Sequence, residues 1–155
     1  MDPYRLMRNT DEEVDGVWAE ILSVPTWKLK LARAGGRNTK YEALLTKAMK
    51  PNARRLNNTA LPMSEMRELQ IPIYAAILVK DWQTQVDGEW VTGIQPFEMT
   101  PAGPQASATA ELWPVTKENV EKVFRALPDY FQEVVAFCER AESFKSDMLE
   151  IIAGN

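Results

Sequence analysis

Few residues in this chain have types and spacing that could do chemistry. Its 155 residues include one cysteine, Cys138, and no histidine, so the commonest general base, nucleophile activator and zinc ligand is missing. Cys138 lies on an apolar helical stripe beside Glu139 and Glu142. Neighbouring acids do not lower a thiol pKa, and the position reads as buried packing. Asp81, Asp87 and Glu89 could form a metal or acid–base cluster, but Asp before Gly is also what a tight turn takes. Gly35-Gly36-Arg37-Asn38 precedes a helical pattern and would suit an anion. It lacks the glycine spacing and the Lys-Ser/Thr of a phosphate loop. No catalytic activity, cofactor or metal is expected.

Aromatic and methionine side chains are the more informative group. Five tryptophans and seven methionines are present. Trp18, Trp27 and Trp90 fall in stretches of strand texture, where one sheet face could collect them as core. Trp82 and Trp113 lie at the edges of the expected hairpin and the long loop. With Phe97 and Met99 of that loop and Met148 of the last helix, they are the candidate partner-binding residues, since aromatic anchors carry most interface energy and methionine adapts to varied surfaces. The same residues would serve as ordinary core.

A net charge of −4 conceals a segregation: residues 27–55 carry nine bases and one acid, while the rest of the chain is acidic. Such a segment can meet phosphate or an acidic surface, or be neutralised by the chain's own acids. Only Trp27 and Tyr41 lie in it as stacking groups, so no nucleic-acid partner is expected. Nor is a membrane: no apolar run approaches the ~20 residues that span a bilayer, and Met1-Asp2-Pro3-Tyr4-Arg5 lacks a signal-peptide profile. A soluble cytoplasmic protein is expected.

The elements that must position these groups follow from periodicity. Residues 1–15 read as an N-terminal arm, and 16–155 as a single α+β domain. Val17 to Leu22 has strand texture, and Trp27, Leu29 and Leu31 alternate with Lys28, Lys30 and Ala32 as in a half-buried strand. Asn38 is a candidate cap for a helix carrying Tyr41, Leu44, Leu45, Ala48 and Met49, which Pro51 ends. Asn52 to Thr59 reads as a loop. Ser64 is the candidate cap of the next helix, with a kink expected at Pro72. Asp87-Gly88 signals a type I′ hairpin. The Pro/Ala-rich stretch 95–110 reads as a long loop. Thr116 caps a helix, and Pro128-Asp129 starts a long terminal helix whose apolar stripe continues through Met148 to Gly154. These patterns predict a mostly helical α+β domain with one or two β-hairpins, near residues 16–33 and 83–92, forming a small antiparallel sheet.

The order of segments resembles a known family. Gly16-Val17-Trp18 after an acidic lead, the basic strand Trp27 to Arg33, and Gly36-Arg37-Asn38-Thr39-Lys40-Tyr41 opening a helix are similar to the front half of tail assembly chaperones of long-tailed bacteriophages. Lys80-Asp81-Trp82, Asp87-Gly88, Pro114 to Val120 and Leu127-Pro128-Asp129 resemble the back half. The chain departs from that pattern at Gln83-Thr84-Gln85 and in the length of the Pro/Ala loop. The resemblance implies a non-catalytic protein of the host cytoplasm that binds the tape measure protein, keeps it soluble and helps recruit tail tube protein. Self-association stays open. The alternative is a phage tail or neck subunit retained in the virion.

Overall fold

The computed structural model describes residues 12–52, 61–107 and 111–144. The first strands, β1 (Val17–Glu20) and β2 (Trp27–Leu31), form the expected hairpin, with Trp18 opposite Lys30 and Ala19 opposite Leu29. Helix α1 (Thr39–Met49) follows and tightens into a 3₁₀ turn, Lys50–Asn52, that contains Pro51. Helix α2 (Met63–Ile73) leads through Pro72 into a π-helical turn, Tyr74–Leu78, and then directly into β3 (Val79–Val86) and β4 (Glu89–Thr92). A second hairpin pair, β5 (Phe97–Thr100) and β6 (Gly103–Ala106), precedes α3 (Lys117–Ala126) and α4 (Pro128–Glu139), and a 3₁₀ turn, Ala141–Phe144, closes the described chain. Strands β1-β2-β3-β4 make one antiparallel sheet in that order; β5-β6 make another. Among these residues no helix is long and apolar enough to cross a membrane.

The expectation of a mostly helical domain is therefore corrected. Among the described residues, helices stand beside six strands in two antiparallel sheets. Two local readings explain the difference. Strand β3 begins at Val79, ahead of the hairpin expected near residues 83–92, because the π turn after Pro72 unwinds at Leu78; the Tyr74 N–H reaches the carbonyls of Gln70 and Ile71. A proline ring withdraws one donor from the helical ladder, and wider π turns accommodate such a disturbance. The stretch expected to be a loop is also paired: Phe97 and Met99 alternate with Glu98 and Thr100, and Phe97 lies opposite Ala106. Pro101-Ala102 form its two-residue turn, held by the Thr100 hydroxyl donating to the Gly103 carbonyl at 2.7 Å.

Register decides what each sheet face carries, since side chains alternate along a strand. Ala19, Leu29, Leu31 and Trp82 point inward and join Tyr41, Ile71, Tyr74 and Leu78, together with Val120, Val123 and Phe124 of α3 and Phe131, Val134 and Cys138 of α4, in one core. Rings connect it: Tyr74 lies edge-on to Tyr41 and Phe131, and Phe131 touches Phe124 with centroids 4.8 Å apart. The outer face carries Trp18, Lys28 and Trp90 instead. Trp18 and Trp90 are thus not gathered into the core; Lys28 holds its ammonium 5.1 Å from one ring and 4.6 Å from the other.

Helix ends show both outcomes of cap reading. The Thr116 hydroxyl accepts from the Asn119 N–H at 3.1 Å, and Pro128 occupies the first turn of α4. Asn38 precedes α1 but makes no side-chain cap; its amide donates to the Arg33 carbonyl at 2.9 Å. Helix α2 starts at Met63 behind Pro62, so Ser64 lies inside it. Helix α4 stops at Glu139. Met148, the expected continuation to Gly154 and most of the expected 52–59 loop lie outside the described residues. Residues 12–15 form a helical turn rather than a loose arm. Glu13 is buried there, binding Arg33 Nη1 at 2.6 Å and the Arg37 N–H at 2.8 Å.

Candidate partner-binding groove

Trp113 lies between two anchors. Its backbone forms an antiparallel bridge with Ile94, with N–H to O distances of 2.8 and 3.1 Å in the two directions. Its carbonyl also accepts the Trp82 indole N–H at 2.9 Å. Gly93 makes this crossing feasible: its φ is +117°, and a Cβ there would stand 2.7 Å from Leu112 Cβ. Phe97 then packs on the Trp113 ring with centroids 5.2 Å apart and planes at 54°. Lys122 of α3 places its ammonium 5.5 Å from the same ring.

On this frame the β5-β6 hairpin stands over the end of the main sheet. A groove of about 220 Å³ opens between them, lined by Trp27, Pro96, Phe97, Pro104 and Leu127, with Gln95, Gln105 and Ala106. Among the described residues no charged side chain lines it. Apolar walls with a few amide groups select an apolar occupant, with the amides fixing its backbone or polar edge. Trp27 is held from beneath by the edge of Tyr130, 5.7 Å away. Met99 projects from the hairpin, 60% exposed.

Of the residues singled out from the sequence, Phe97 lines the groove, Trp113 backs Phe97, and Met99 stands on the same hairpin. Trp82 does not reach a surface: it is 1% exposed, in mid-strand opposite Leu29, and acts through its hydrogen bond to Trp113. Its expected place at a hairpin edge fails because β3 starts three residues before it. Trp27, Pro96, Pro104 and Leu127 were not anticipated as wall residues. The signal available for Trp27 was its position at the start of a half-buried strand, next to the Thr26 turn; the prolines looked only like loop punctuation.

The remaining chemistry-bearing groups stay apart. Burial pushes the Cys138 thiol well above its ordinary value, with Glu139 adding to the effect. Burial likewise raises the hydroxyls of Tyr74 and Tyr130. Asp87 sits in the β3-β4 turn with φ +52° beside Gly88 at +82°, the paired positive values of a type I′ turn. Among the described residues no group of three or more acids or thiols could hold a metal ion. Compared with known proteins, the chain matches no family model, no curated protein and no solved structure.

Proposed function

We propose that this chain is a tail assembly chaperone of a long-tailed bacteriophage, a non-catalytic protein that binds the tape measure protein in the host cytoplasm. It keeps that protein soluble and helps recruit tail tube subunits. The observation that carries the reading is the uncharged groove between the β5-β6 hairpin and the Trp27–Leu127 wall. A long amphipathic helix presents apolar side chains at regular intervals, and a pocket of this size accepts one or two of them per chain. The segment order that resembles such chaperones supports the same reading.

Two further features agree with a protein partner rather than a nucleic acid. Lys28 is held over two indoles and Arg33 is bound to Glu13, which draws part of the basic segment into contacts within the chain. The thiol is buried and raised, which suits packing rather than nucleophilic attack. Mass spectrometry of purified mature particles tests the assignment: a chaperone leaves before maturation and is absent. Stoichiometric retention in the particle would favour a tail or neck subunit.

A further inference from the structure

We propose that the exposed face of α1 docks an acidic helical segment of a partner protein, one that sets an apolar side chain between carboxylates. The basic segment of the chain motivates this, because the fold does not neutralise it. Of the seven lysines and arginines in residues 27–52, only Arg33 makes an ion pair among the described residues, with Glu13. Lys28 is taken up by two indoles. Lys40, Lys47 and Lys50 are exposed and make no ion pair with a described residue.

Helical spacing gathers these cations. Residues at i, i+4 and i+7 share a face, so Lys40, Leu44 and Lys47 stand in one row along α1, continued by Lys50 in the 3₁₀ turn. The opposite face is used inside: Tyr41 is buried in the core, and Leu45 and Ala48 pack against it. Glu42, the acid of the first turn, lies off the row, with its Oε1 3.9 Å from where a Cβ of Gly35 would be. Leu44 is 37% exposed between the two lysines. Lys40 sits in the first turn, where a cation opposes the macrodipole, so helix stability does not account for it.

Charge and spacing together select the occupant. The row runs about 15 Å from Lys40 to Lys50, positive at its ends with an apolar centre. A partner helix with acids at i and i+7 and an apolar residue at i+4 matches it, carboxylates meeting Lys40 and Lys47 while the apolar side chain covers Leu44. A nucleic-acid strand finds no ring to stack on, since Tyr41 is the one aromatic of α1 and is buried. A bilayer meets a single exposed leucine where an interfacial helix presents a broad apolar face. No wall of the Trp27–Phe97 groove belongs to α1, so this surface acts independently of whatever fills the groove.

Fluorescence anisotropy with the full chain and a labelled synthetic helix tests this. The probe repeats a heptad in which glutamate is followed by leucine four positions on and by glutamate again at the seventh. It should bind with roughly micromolar affinity at about 50 mM salt and weaken severalfold at about 200 mM. Lys40→Glu combined with Lys47→Glu should weaken binding by about tenfold, and that variant should bind the same helix remade with lysine for glutamate, which also shows it to be folded. Leu44→Glu should weaken the glutamate helix by about tenfold and keeps the test decisive if the double variant fails to fold. A glutamate helix that does not bind at low salt, or that binds these variants as well as the parent, overturns the proposal. So does tighter binding of a single-stranded oligonucleotide, or of phosphatidylserine vesicles, than of the glutamate helix.

Discussion

The indole N–H of Trp82, buried in mid-strand on β3, donates to the carbonyl of Trp113 at 2.9 Å and so fixes the backbone on which the groove aromatics stand. Removing that donor takes away one of the two hydrogen bonds the Trp113 carbonyl accepts, the other coming from the Ile94 N–H, and leaves a void where the larger ring was. Trp82→Phe should therefore lower stability by about 2 kcal/mol or more in a chemical denaturation experiment. A variant as stable as the parent would show that the bond contributes nothing to holding Trp113.

Gly88 occupies the left-handed region with φ +82°, and nothing lies within 4 Å of where its Cβ would be. The cost of Gly88→Val is thus conformational rather than steric, and should amount to about 1 kcal/mol or more. Asp87→Asn keeps a side chain that tolerates positive φ and should leave the melting temperature within about 1 °C of the parent. Equal melting temperatures for Gly88→Val and the parent would contradict the type I′ turn.

Cys138 has a pKa raised in the folded chain above an ordinary value of 9.0, through burial and then Glu139. For a group raised on folding, the stabilisation is fully present below the unfolded pKa and is lost as pH rises through the folded value. Stability should accordingly fall above about pH 9, by about 1.4 kcal/mol per pH unit for this one group, until the tyrosines add their own loss above pH 10. Cys138→Ala should flatten the slope between pH 9 and 10, at a modest cost in stability from the small cavity. The native thiol should also resist a disulfide reagent at pH 8 and react once denaturant is added. A slope unchanged by Cys138→Ala would contradict the burial argument.

An uncharged groove binds through apolar contact, so affinity for the tape measure protein should stay within about threefold as salt rises from roughly 50 to 200 mM. Phe97→Ala should weaken that binding by about tenfold or more, with the fold retained. A fall of orders of magnitude over the same salt range would instead indicate phosphate contacts by the basic segment.

Local patterning made much of the fold legible. The β1-β2 alternation, the Asp87-Gly88 turn, the Thr116 cap and Pro128 at the start of α4 each depend on neighbouring residues alone. What escaped depends on tertiary pairing. Nothing local distinguishes a Pro/Ala loop from the β5-β6 hairpin, because Pro104 withholds a ladder donor and the pairing survives on its neighbours. The tryptophans inverted for the same reason: burial follows register, and an irregularity that pairs Leu31 with Val79 but Lys30 with Asp81 sets Trp82 opposite Leu29 on the inner face, while Trp18 and Trp90 face out beside Lys28. Of the groove, Phe97 and Met99 were legible as the apolar residues of an otherwise small-residue stretch. Trp27 and Leu127, far apart in sequence, meet only through packing.

The central claim is that this chain shields a tape measure protein, and co-expression measures it most directly. A tape measure protein co-expressed with this chain should be found in the soluble fraction, bound to it and resistant to high salt, and should be insoluble when expressed alone. A tape measure protein equally insoluble with and without this chain would contradict the account.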